Sequence, residues 1–176
     1  MATFKIKNVL FFHEKKNVNV LDEGDRTIAK VMKVSNSGNE AGKTFVLERN
    51  GDQAVLGIQK GRLVFANYRF QIDGEEFILK DNAVNSLLYF CVDGTAFGKK
   101  LRIEENWDEE IEVKVDGRKA ALMKPNTISL EATIVMDEEV AGDWMLFSLT
   151  CLMYFMFMIY KDETDIIESI FDGLEE

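Results

Sequence analysis

The residues best equipped to bind something are basic and clustered. Gly98 is followed by Lys99-Lys100-Leu101-Arg102, and Lys60-Gly61-Arg62 forms a second, smaller group. Such side chains contact phosphate or carboxylate oxygens, or stay solvated at strand edges and discourage edge pairing. The inventory for catalysis is thin. His13 is the single histidine, and as a general base it needs a nucleophile. Cys91 and Cys151 both lie in apolar runs, where burial raises the thiol pKa and lowers reactivity. One histidine rules out a His-rich metal site, and no P-loop, Gly-rich dinucleotide turn or CxxC occurs. The segment Glu104–Glu110, EENWDEE, packs five acids around Trp107. It lacks the glycine turn and the alternating Asp/Asn frame of a calcium loop, and reads as a solvated hairpin loop. No catalytic set, metal site or cofactor site is therefore expected.

Charge narrows the partners further. Lys and Arg number 21 against 31 Asp and Glu, a net charge of −10, which opposes nucleic-acid binding. The imbalance is uneven: twelve basic and seven acidic residues fall in 1–70, nine and twenty-four in 71–176. An apolar fraction of 47% in 176 residues suits one globular domain with a substantial core. Two unpaired cysteines in apolar surroundings suit a reducing compartment. The run Val9–Phe12 is too short for a signal-peptide core and reads as a strand. The expected location is the cytoplasm.

The elements that must position these side chains are mostly strands. Phe4 and Ile6 alternate with Lys5 and Lys7; Tyr68, Phe70 and Ile72 with Arg69 and Gln71; Ile111, Val113 and Val115 with Glu112 and Lys114. Ile128, Leu130, Ala132, Ile134 and Met136 form the longest one-faced run. Further strands are expected at 17–21, 27–34, 44–49, 53–59, 75–80, 86–92, 96–103 and 118–123, about twelve in all. Turns are expected at Asp22–Asp25, Asn50–Asp52, Asp73–Glu75, Asp93–Thr95 and Asp116–Arg118, because Asn-Gly and Asp-Gly accept the positive φ of tight hairpins. Ser35–Gly42 reads as a flexible polar loop, and Pro125 as a residue between strands.

One stretch breaks this grammar. Trp144–Tyr160, WMLFSLTCLMYFMFMIY, has no charge, proline or glycine, and follows an N-cap candidate, Asp143. Seventeen helical residues rise about 25 Å, short of a hydrocarbon core of ~30 Å. Acidic flanks give no positive-inside asymmetry, and four methionines with mid-run aromatics suit an irregular protein interior. A helix at 143–161, buried on every side, is favoured over a single span at 144–160. A helix needs a channel about 10–12 Å across, wider than an eight-stranded barrel offers but available within eleven or twelve strands. Asp162-Glu163-Thr164 is expected to break the helix. Ile166, Ile167, Ile170, Phe171 and Leu174 then form a short acidic amphipathic helix, capped by Thr164, as a C-terminal tail at 162–176.

The expected fold is thus mainly β: a closed antiparallel barrel of about twelve strands around a buried C-terminal helix. This organisation resembles the tubby C-terminal-domain superfamily, which includes LURP-one-related proteins, phospholipid scramblases and small bacterial relatives. The resemblance rests on Glu110-Ile111-Glu112-Val113-Lys114-Val115-Asp116-Gly117-Arg118-Lys119-Ala120, on Ile128–Glu138 leading into the helix, and on Val20-Leu21-Asp22-Glu23-Gly24. It covers about 4–161, and is one of organisation rather than of a short motif. It implies a helix-threaded twelve-stranded barrel and a phospholipid headgroup met by basic side chains, with no ligand residue matched one to one. The expectation is a non-enzymatic binding module for a lipid headgroup or a protein, without stable membrane insertion. Lys99, Lys100, Arg102, Lys60 and Arg62 are its candidate anion contacts. A membrane-anchored protein and an enzyme of unrecognised class are the alternatives.

Overall fold

A computed structural model describes residues 1–7, 17–59, 65–86, 88–126 and 131–172, the last eight of these as backbone only. The chain forms twelve strands: β1 (Ala2–Ile6), β2 (Val18–Leu21), β3 (Thr27–Val34), β4 (Asn39–Arg49), β5 (Asp52–Gln59), β6 (Asn67–Ile72), β7 (Glu75–Asp81), β8 (Cys91–Ala96), β9 (Lys99–Glu105), β10 (Ile111–Val115), β11 (Arg118–Asn126) and β12 (Glu131–Met136). Each pairs antiparallel with its sequence neighbours, and β1 closes the sheet on β12 with Phe4 opposite Ile134. The result is a closed barrel. The short helix α1 (Glu138–Gly142) leads into α2 (Trp144–Asp172).

Alternation decides what faces α2. Phe4, Ile6, Tyr68, Phe70, Ile72, Ile111, Val113, Ala132, Ile134 and Met136 are buried in one core with the helix. Every residue of α2 from Met145 to Phe157 is buried. Phe147 meets Phe4 edge-on at 5.2 Å, Phe155 stacks on Phe45 at 5.1 Å, and Phe157 meets Phe90 at 5.6 Å. The segment Trp144–Thr164 is long and apolar enough to cross a membrane, yet 72% of its most apolar window lies inside the protein. Its apolarity has a structural cause: the barrel wall surrounds it on all sides. Asp143 caps it, accepting the Leu146 N–H on Oδ1 at 3.1 Å.

Several local expectations give way to tertiary packing. Asp93-Gly94-Thr95 lies within β8, and the reversal comes at Phe97-Gly98, where both φ values are positive. Gly94 is there for space: a Cβ would stand 2.8 Å from Leu79 Cγ. The strand expected at 86–92 begins only at Cys91. Ser35–Gly42 is no free loop, because β4 starts at Asn39 and its register slips before Thr44. The Asn39 side chain is buried and donates to Thr44 Oγ1 at 3.1 Å, over Gly57, where a Cβ would lie 2.3 Å from Asn39 Nδ2. Pro125 is inside β11, past the point where the first β10 residue, Ile111, faces Met123. Its missing N–H therefore costs that ladder nothing. No break occurs at 162–164: α2 continues to Asp172, and Thr164 donates to the Tyr160 carbonyl at 2.9 Å instead of capping a new helix. The Val9–Phe12 strand, Ile128 and Leu130 lie outside the described residues.

Candidate functional site

A groove of about 890 Å³ runs over the outer face of β7 to β10. Its origin is a weak seam. β7 and β8 pair only through Lys80–Asp93 and Asp81–Val92, whereas β8 and β9 pair along six positions. Alternation turns Leu79, Val92, Leu101, Ile103 and Val113 inward. The opposite parity brings Lys80, Asp93, Lys100, Arg102, Glu104 and Lys114 to the groove.

Two of the four cations are held by carboxylates. Arg102 grips Asp93 in a fork, Nε to Oδ1 at 2.7 Å and Nη2 to Oδ2 at 3.1 Å, and Asn82 Nδ2 adds a bond to Oδ2 at 2.7 Å. Burial alone would raise the Asp93 carboxyl. The Arg102 and Asn82 hydrogen bonds outweigh it and hold the group below its ordinary value. Lys114 Nζ lies 2.5 Å from Glu104 Oε1 and 3.4 Å from Glu112 Oε2. Lys80 and Lys100 make no ion pair among the described residues. The Lys100 backbone N–H donates to Asp116 Oδ1 at 2.9 Å. Among the described residues the groove thus has two fixed pairs, the Asp81 carboxylate bonded by the Ala66 N–H and the Tyr68 hydroxyl, and two ammonium groups outside any ion pair. Ammonium groups outside an ion pair are the ones chemically able to meet an anion.

The basic run Lys99–Arg102 is divided by the fold. Lys100 and Arg102 line the groove, while Lys99 reaches the helix cap, with Nζ 2.5 Å from Asp143 Oδ2. Lys60, Arg62 and His13 lie outside the described residues. Lys80 and Lys114 complete the groove from strands adjacent in the sheet but distant in sequence. Only the alternation of β7 and β10 hinted that they face outward.

The thiols are poor nucleophiles. Cys91 is buried beside the groove, its Sγ 3.9 Å from Glu104 Oε2, and burial with the nearby Asp93 charge pushes it up to about 11. Cys151 is raised further by complete burial inside the barrel. The acids of 104–110 are not simply solvated. Glu104 is paired with Lys114, Glu105 with Lys161 at 2.5 Å, and Glu110 with Lys124 at 2.8 Å. Among the described residues no three His, Cys, Asp or Glu side chains are gathered for a metal ion.

Fold and groove together define a helix-pinned antiparallel barrel with a mixed-charge surface cleft. Compared with known proteins, the chain matches no family model, no curated protein and no solved structure.

Proposed function

We propose that the barrel is a non-enzymatic binding module that receives a phosphate-bearing headgroup in the β7–β10 groove. Lys80 and Lys100 are its anion contacts. The observation that carries this reading is the pair of ammonium groups outside any described ion pair, in a groove whose other cations are already paired. Its volume of about 890 Å³ falls within the range of small-molecule sites. The raised thiols argue against Cys chemistry, and the architecture is the one that a tubby-like resemblance implies. Family membership is part of the proposal.

Phosphate from a lipid headgroup and phosphate from a soluble ester present the same chemistry. The test titrates the protein with inositol hexakisphosphate and, separately, with phosphatidylcholine vesicles carrying a phosphoinositide. The expected result is salt-sensitive binding, weakened about ten- to a hundredfold by Lys80→Glu with Lys100→Glu. Binding of the soluble ester alone identifies a free phosphate ligand. Vesicle binding above that of phosphatidylcholine without phosphoinositide, with no binding of the soluble ester, identifies a lipid. Equal binding by the double variant would overturn the assignment of the groove.

A further inference from the structure

The barrel presents an apolar rim at one end. The connections β5–β6, β7–β8 and β9–β10 all lie at the end from which α2 emerges, since Phe90 packs on Tyr160 at 5.4 Å and Glu105 pairs with Lys161. These connections carry Phe65, Val84, Leu88 and Trp107, with exposures of 40, 79, 82 and 104%. The loops are built to hold their tips out. Asn82 Oδ1 accepts the N–H groups of Val84 and Asn85 at 3.1 and 3.0 Å. Asn106 Oδ1 accepts those of Asp108 and Glu110 at 2.9 and 3.0 Å. Phe90 anchors one loop in the core and Lys161 ties the other to the helix. Trp107 is therefore an exposed apolar side chain on an ordered turn.

We propose that this rim seats on an electrically neutral, phosphocholine-bearing bilayer, with Leu88 and Trp107 as the inserted tips. The inference rests on the rim alone and is independent of the groove. The apolar side chains stand on separate loops; a fluid interface accepts such tips singly, whereas a protein partner needs a matched, continuous surface. Tryptophan favours the headgroup level of a bilayer, and its face attracts a quaternary ammonium. Charge selects the surface. Around Trp107 the described charges are acidic or paired: Asp108 and Glu109 follow it, and Lys124 and Lys161 are neutralised by Glu110 and Glu105. Beside Trp107, acids disfavour anionic headgroups, while choline groups meet acids and an aromatic face.

Trp107 is its own reporter, the second tryptophan being Trp144 at the opposite end of the barrel. The full chain is mixed with vesicles of phosphatidylcholine or of phosphatidylserine, and Trp emission and co-sedimentation are read. The expected result is a blue shift with phosphatidylcholine, quenched by brominated acyl chains. Leu88→Ser with Trp107→Ser should weaken sedimentation more than tenfold at an unchanged melting temperature, and Trp107→Phe should sediment without the shift. Lys80→Glu with Lys100→Glu should leave phosphatidylcholine binding intact, which separates the rim from the groove. Absence of shift and sedimentation with phosphatidylcholine, or preference for phosphatidylserine, would overturn the proposal. So would self-association that the Leu88/Trp107 variant abolishes without any vesicle binding.

Discussion

At the end where α2 enters the barrel, the chain reverses at Asn50-Gly51, Asp73-Gly74, Phe97-Gly98 and Asp116-Gly117, all with positive φ. At the end where α2 leaves, the connections 82–90 and 106–110 are longer, and their tips expose Val84, Leu88 and Trp107. The first end fixes register with these four two-residue reversals and the five-residue Asp22–Arg26 turn, and its tips are mostly polar, Phe97 being the exception. The second uses side-chain-to-backbone bonds from Asn82 and Asn106 to keep apolar groups in water. Holding a barrel in register does not require the second arrangement. That difference is the basis for placing the proposed binding surface at the exit rim and the adjoining groove rather than at the hairpin end.

The comparison breaks most violently if the pin between the two ends is damaged. Tyr154 is 2% exposed within the barrel, and burial pushes its phenol up to about 12. Tyr154→Lys should yield no folded protein by circular dichroism, because an ammonium has no partner there. Phe155→Ala, a milder cut beside it, should cost about 3–5 kcal/mol in urea denaturation. Close approaches in the wall come next. Gly57→Ala and Gly94→Ala place a methyl against Asn39 and Leu79 and should each cost about 1–3 kcal/mol.

These two glycines also mark where the sequence misleads. Asp93-Gly94 has the composition of a hairpin turn, yet its glycine answers Leu79, fifteen positions away on β7. The polar segment 35–42 reads as a loop because nothing local announces that Asn39 will be buried over Gly57. The barrel itself was legible: alternation at 68–72 and 111–115, and the apolar run after Asp143, are signals internal to each element. The groove was legible only in part. Lys100 and Arg102 alternate on one strand, whereas Lys80 joins them through sheet order and Lys99 leaves them for Asp143.

Smaller effects sharpen the contrast. Asp143→Ala removes the cap and the Lys99 partner at the entry end and should cost about 1 kcal/mol. Burial would raise the Asp143 carboxyl, but hydrogen bonds from Lys99, Leu146 and Met145 outweigh it and lower it from 3.8. Asp93 is likewise lowered, burial again being outweighed, here by Arg102 and Asn82. Protonating these groups is harder in the folded chain, so their stabilisation is complete above the ordinary carboxylate value and fades as pH falls through the depressed ones. The urea midpoint should drop between pH 5 and pH 2, less steeply in Asp143→Ala. At the exit rim, Leu88→Ser and Trp107→Ser should change stability by no more than about 0.5 kcal/mol.

The division of labour between the ends can be read residue by residue in one titration. Amide resonances of the labelled full chain are followed as phosphatidylcholine nanodiscs carrying a phosphoinositide are added. Changes should concentrate at Lys80, Lys100, 82–90 and 106–110, leaving Asn50-Gly51, Asp73-Gly74 and the buried turns of α2 unmoved. Changes centred on the hairpin end, or no changes at all, would contradict the assignment of binding to the groove and exit rim.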